Sequence, residues 1–141
     1  VTGESYFGCD GVGAFSKNGD ADETPIRAAR LADGPVRVVG SRSHRGKSLD
    51  GYLERLGDHE MVPMGSSLKF CLVARGDADV YPRLGLTSEW DTAAAQAVLE
   101  AAGGGVITIE GEPLSYNAKA DILNPFFIAF ADGSRDWTRY L

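Results

Sequence analysis

The sequence predicts an α/β fold built around a mixed sheet, and three observations lead there. From residue 36 onward, short β-branched or aromatic runs alternate with segments whose apolar residues recur at helical spacing. One helical segment, residues 68–74, is apolar nearly all round, as a helix buried between layers must be. Glycines at 40, 57, 76 and 103–105 fall where these patterns stop.

Residues 3–20 read as a β-hairpin, with Tyr6 and Phe7 on one arm, Ala14 and Phe15 on the other, and a glycine-rich turn at 8–13. The spacing of those glycines is not a dinucleotide fingerprint, and no helical pattern follows. Residues 18–24 read as a polar loop. A short strand at 36–39 precedes a helix within 43–56, whose Leu49, Tyr52, Leu53 and Leu56 share a face and whose stop is Gly57. A strand at 61–64 leads into Gly65, Ser66 and Ser67 and the buried helix, which Gly76 ends. Residues 78–81 return as a strand before Pro82. The longest helix is expected at about 90–102. A second hairpin is expected from 106–110 and 114–116 around Gly111, and residues 126–130 form a late apolar strand.

The chain has 141 residues, enough for one ordinary domain, with 43% hydrophobic and 24% charged residues. No apolar run approaches the ~20 residues needed to cross a bilayer. The first residues lack the charged and apolar regions of a signal peptide, and with no initiating Met the chain is expected to begin inside a longer protein. A net charge of −6 excludes a protein that grips long nucleic acid through its phosphates. Six cations nevertheless crowd one stretch: Arg27, Arg30, Arg37, Arg42, Arg45 and Lys47, with Asp33 the only acid among them. They make either a solvated basic face or a local field for a small anion. Cys9 and Cys71 lack metal-ligand spacing, and Cys71 lies in an apolar run as a buried thiol would. Both fit a reducing cytoplasm.

Three places that follow strand ends could hold chemistry. Gly65, Ser66 and Ser67 open a helix with Lys69 one turn in, where free N–H groups, hydroxyls and an ammonium suit a phosphate. The competing role for either serine is a helix cap. Ser88 as N-cap places Asp91 at the third helical position, where its carboxylate either completes a capping box or faces a hard cation such as magnesium. Spacing leaves both roles open. Ser41, Arg42, Ser43 and His44 follow the 36–39 strand and could contact a phosphate or a ring edge. Ser66 and Ser67 have no partner histidine in a known nucleophile motif and G-x-S-x-G is absent, so covalent serine hydrolysis is not expected.

At these residues the sequence resembles a known family. Trp90, Asp91, Thr92, Ala93 and Ala94 resemble the W-D-x-A-A signature of the inositol monophosphatase superfamily. The run 65–74, with Tyr81, Pro82 and Arg83, with 41–44, and with Leu123, Asn124 and Pro125, is similar to the 3'(2'),5'-bisphosphate nucleotidase branch. Ala95 departs from the glycine many relatives carry there. The family's other acidic ligands, a glutamate and a D-P-[IL]-D-G-[TS] motif, are not found in this sequence.

The resemblance implies the layered αβαβα sugar-phosphatase fold, with residues 1–33 as the hairpin and loop ending a first domain. Residues 34–141 would be the C-terminal α/β domain, the N-terminal catalytic domain lying outside this chain. It implies a Mg2+-dependent phosphatase removing the 3'-phosphate of adenosine 3',5'-bisphosphate to give AMP, in sulfur assimilation or nucleotide recycling. Asp91 would be the catalytic metal ligand, and His44, Gly65, Ser66, Ser67, Lys69 and Arg83 would bind the nucleotide bisphosphate. This chain alone is then expected to be inactive. The partners expected are the substrate and the missing domain, with a homodimer left open, in the cytoplasm or peripherally at the inner membrane. The other readings are an inositol or sugar monophosphatase of the same superfamily, and a non-catalytic α/β domain that binds anions.

Overall fold

The computed structural model describes residues 3–40 and 46–141. Its first unit is a three-stranded antiparallel sheet of β1 (Glu4–Cys9), β2 (Gly13–Asn18) and β3 (Thr24–Ile26) in that order. The expected hairpin is its first half. The segment expected to remain a polar loop ends in β3, a three-residue edge strand where Pro25 is tolerated and Ile26 reaches the core.

The second sheet has β4 (Val36–Gly40), β5 (His59–Pro63), β6 (Val80–Arg83), β7 (Gly105–Thr108) and β8 (Phe127–Phe130), ordered β5-β4-β6-β8-β7. β4 runs parallel to β5 and β6, and β8 runs antiparallel to β6 and β7, so the sheet is mixed as expected. The helices are α1 (Lys47–Leu56), α2 (Leu68–Ala74) and α3 (Ala93–Ala101). Neighbouring strand residues point to opposite faces, which sorts the core in two. Val38, Val80 and Ile128 meet Tyr52, Leu53 and Leu56 of α1 together with Trp137 and Tyr140. Val39, Tyr81, Phe127 and Ala129 meet Phe70, Leu72 and Val73 of α2 and Val98 and Leu99 of α3.

The three-stranded sheet packs on the other side of α3, completing a β/α/β/α stack. Gly8 permits that approach: a Cβ there would lie 2.9 Å from Ala101 Cβ and 3.1 Å from the Val98 backbone. Beyond β8 the chain crosses to α1, where Tyr52 Oη donates to the Trp137 carbonyl at 3.0 Å and Arg55 Nε to that of Tyr140 at 2.9 Å. Among the described residues no helix is long and apolar enough to cross a membrane.

Several expected boundaries move. The strand expected at 61–64 is β5, two residues earlier. The strand at 78–81 runs instead through Pro82 to Arg83, because β4 pairs with β6 only at Val80 and leaves no partner wanting the proline's missing N–H. The helix expected at 90–102 is broken: Glu89–Asp91 form a single 3-10 turn and α3 starts at Ala93. The second hairpin is also corrected. Residues 114–116 make no strand; Leu114 N–H donates to Val106 O at 3.1 Å, but the ladder partner of β7 is β8.

Candidate active site

α1 carries the chain from β4 out to β5 and α2 carries it from β5 back past β4 to β6, on opposite faces of the sheet, so a crevice opens beyond the carboxyl ends of β4 and β6. There a cleft of about 520 Å³ is lined by Ser66, Ser67, Lys69, Phe70, Tyr81, Arg83, Leu86, Thr87, Trp90, Asp91 and Thr92. It brings together five expected site residues from three separate stretches: Ser66, Ser67, Lys69, Arg83 and Asp91. Gly65 directly precedes Ser66 and is not among the residues that line the cleft. His44 lies outside the described residues.

Lys69 is on the buried side of α2, 7% exposed. Its Nζ donates to the Ser66 carbonyl at 3.0 Å and stands 5.3 Å from the centre of the Tyr81 ring. No carboxylate among the described residues pairs with it. Burial, and then the nearby charge of Arg83, hold its pKa below the ordinary lysine range. Ser66 accepts that bond from a left-handed backbone with φ of 55°, a conformation a non-glycine residue adopts at a cost. Ser67 stands at the N-cap of α2 without a side-chain cap bond, so its capping role is not what the structure shows.

Arg83 ends β6. Its Nη2 donates to the Leu86 carbonyl at 2.8 Å, and its buried Nε has no hydrogen-bond partner among the described residues. Two cations thus face one cleft with donor capacity unspent, an arrangement that attracts an anion. Three described cations of the basic run, Arg27, Arg30 and Arg37, do not supply this field. Arg37 is taken by Asp79 at 2.6 Å, and Arg27 and Arg30 line a different cleft beside Asp132.

Asp91 fills the first of its two expected roles. Oδ2 accepts the Ser88 N–H at 2.9 Å, so the carboxylate does cap its own turn. Oδ1 accepts no hydrogen bond from the described residues, and the exposed side chain lines the cleft. Burial raises the pKa of Tyr81, the Arg83 charge lowers it, and the Asp91 carboxylate raises it further, so both charges act on the floor of the cleft. A hard cation takes oxygen ligands, and Asp91 offers one. Among the described residues no three His, Cys, Asp or Glu side chains gather to hold a metal by themselves.

A profile of the inositol monophosphatase family matches residues 1–129. The chain belongs to the inositol monophosphatase family. Among curated proteins, the 3'(2'),5'-bisphosphate nucleotidase CysQ of Escherichia coli is 45% identical over 122 residues, which cover 86% of this chain and 48% of that protein. CysQ of Haemophilus influenzae is 33% identical over 138 residues, 97% of this chain and 51% of its own. The chain therefore spans about half the length of these curated relatives. The crystal structure of CysQ from Bacteroides thetaiotaomicron superposes with a TM-score of 0.81 at 39% identity, covering 94% of this chain and 55% of that one. An inositol monophosphatase from Anabaena, at 22% identity and a TM-score of 0.71, shares the fold.

Within this inositol monophosphatase family chain, sequence reasoning missed four residues at or behind the cleft. Tyr81 sits under Lys69, Thr87 and Thr92 complete the wall, and Asn124 lies buried behind Thr92. Tyr81 and Asn124 stood inside blocks that carried the resemblance, but only contacts distant in sequence give them a role. The buried Cys71 thiol is pushed up to about 11, as expected for an inert core cysteine.

Proposed function

We propose that this chain carries the substrate-holding part of a magnesium-dependent phosphatase that converts adenosine 3',5'-bisphosphate and water into AMP and phosphate. One observation carries the proposal: a buried lysine and an arginine, neither matched by an acid among the described residues, share one cleft with a carboxylate that has a free oxygen. The identity to proteins named 3'(2'),5'-bisphosphate nucleotidase directs it to this substrate.

Each residue has a role its chemistry suits. Lys69 is a compact cation for one phosphate, already desolvated so that its attraction is weakly screened. Arg83 offers a planar fork, with the guanidinium N–H groups that Leu86 does not take available to a phosphate. Ser66 and Ser67 add hydroxyl donors. Asp91 would give Oδ1 to magnesium, the rest of the coordination coming from water, phosphate oxygens and residues beyond those described. When bound, the ion acidifies the attacking water and stabilises charge on the leaving oxygen. In the overall exchange the water oxygen forms the new bond to phosphorus, the P–O3' bond breaks, and the freed ribose oxygen takes a proton. α2 has only seven residues, so the pull on the anion comes mainly from side chains.

The test is phosphate release by the protein made from its complete coding sequence, with magnesium, on adenosine 3',5'-bisphosphate and on inositol 1-phosphate. The expected kcat/KM favours the bisphosphate by about tenfold or more, the scale of one charge-assisted contact. Preference for inositol 1-phosphate moves the protein to the sugar-phosphatase side of the family. No turnover on either, with the anion still bound, leaves a non-catalytic anion-binding domain.

A further inference from the structure

Asp91 stands on a 3-10 turn of three residues, too short to hold a side chain's direction by its own two backbone bonds, Asp91 N–H to Ser88 O at 2.9 Å and Thr92 N–H to Glu89 O at 3.2 Å. A strap at residues 116–124 supplies the missing hold. Glu89 N–H donates to Ile122 O at 2.9 Å, Asn124 N–H donates to Thr87 O at 2.8 Å, and Ser88 bridges Leu123. From the far end of the strap, Asn117 N–H donates to the Glu89 carboxylate at 3.1 and 3.2 Å.

The centre of this strap is a buried polar cluster. Asn124, 5% exposed, points its amide nitrogen at Thr87 Oγ1 (3.1 Å), Ser88 O (2.9 Å) and Thr92 Oγ1 (2.9 Å), the residues on either side of Asp91. Thr92 is 2% exposed, and its Oγ1 is also within 3.1 Å of Tyr116 Oη. Tyr116 Oη donates to Gln96 Oε1 at 2.6 Å, and Gln96 Nε2 to Leu114 O at 2.9 Å, which ties the cluster to α3 and to the strand side. A buried amide with three acceptors in reach and its own Oδ1 unpartnered among the described residues is costly to keep for packing alone. An apolar side chain would fill that volume without an orphaned oxygen.

We infer that Asn124, with Tyr116 behind it, is a positioning residue that fixes the turn carrying Asp91 so that its free oxygen faces the cleft. This inference rests on the phosphatase reading above for its catalytic consequence, and on geometry alone for its structural one. Outer groups that orient a metal ligand typically matter about ten- to hundredfold in metal affinity or activity.

The experiment uses the protein from its complete coding sequence with Asn124→Ala, Asn124→Leu and Tyr116→Phe. Three readouts are taken: hydrogen–deuterium exchange over residues 87–92, magnesium affinity by calorimetry, and kcat and KM on adenosine 3',5'-bisphosphate. With Asn124→Ala, exchange over 87–92 is expected to rise about tenfold while α1, on the opposite face, is unchanged. Magnesium affinity and kcat are expected to fall about ten- to hundredfold, and KM to stay within about threefold. Asn124→Leu, which keeps the volume and removes the donors, is expected to behave like Asn124→Ala. Protection and magnesium affinity restored by leucine would make Asn124 a packing residue and overturn the inference. Unchanged exchange over 87–92 overturns it as well, whatever the activity. An inactive wild type would sink the phosphatase reading while exchange still decides this one. If the Asn124 variants do not fold, Tyr116→Phe decides, with a rise in exchange of about threefold expected and no rise contradicting it.

Discussion

Asp91→Asn lowers kcat on adenosine 3',5'-bisphosphate by about a hundredfold to a thousandfold, roughly 3–4 kcal/mol of transition-state stabilisation. The size follows from the two jobs of one carboxylate. Oδ2 accepts the Ser88 N–H, and an asparagine oxygen can take over that bond, so the turn keeps its cap. Oδ1 loses its share of negative charge, and with it the ability to serve as an anionic ligand for a hard cation. The expected signature is a large fall in kcat, a small change in KM and a Tm within about 2 °C of the parent, since a retained cap is worth at most about 1 kcal/mol. A variant that loses stability but not turnover would show that capping is the only task of Asp91. Steady-state kinetics beside a thermal melt separates the two.

Lys69→Met and Arg83→Ala raise KM for adenosine 3',5'-bisphosphate by about ten- to hundredfold each, and raise it much less for a substrate with a single phosphate. Charge-assisted bonds in a desolvated cleft account for the magnitude. Lys69 adds a stability signature. Lys69 is 7% exposed and its ammonium has one backbone carbonyl for a hydrogen-bond partner among the described residues, so an unbranched apolar replacement is expected to hold or raise the Tm of the unliganded protein while binding falls. The pH dependence has the corresponding sign. Burial and Arg83 depress the Lys69 pKa in the folded state, whereas the unfolded lysine titrates at its ordinary 10.5. Between those two values the unfolded chain binds the extra proton, so stability rises with pH across that window. Over the same window the bound phosphate loses its cation and KM climbs. Lys69→Met removes both trends, and a titration of KM and Tm against pH checks them together. Equal losses on mono- and bisphosphates would refute the second-phosphate role.

Much of this was legible locally. The β1–β2 hairpin follows from aromatic pairs around a glycine-rich turn, and α2 from an apolar run closed by Gly76, because each pattern is satisfied by neighbours in sequence. The mixed sheet followed from the alternation of elements, and Ser66, Lys69 and Asp91, placed after strand ends, meet in one cleft with Arg83, which only the resemblance had singled out. What was not legible depends on distant partners. β3 is a strand because β2 offers it an edge, which no pattern in Thr24, Pro25 and Ile26 announces. The break between Asp91 and Ala93 comes from a strap more than 30 residues away pulling on Thr87, Ser88 and Thr92. Whether the basic run was a solvated face or an anion field stayed open because charge sums along a sequence ignore where each side chain turns. Arg37 turns to Asp79, 42 residues on, and Arg27 and Arg30 turn to another cleft.

The most direct measurement is a crystal structure of the protein from its complete coding sequence, with manganese in place of magnesium and an inorganic phosphate in the cleft, the ion located by its anomalous signal. The expected result has Asp91 Oδ1 at about 2.0–2.2 Å from the ion while Oδ2 stays on the Ser88 N–H, with the phosphate beside Lys69 and Arg83. An ion and phosphate bound elsewhere, with Asp91 serving only its own turn, would contradict it.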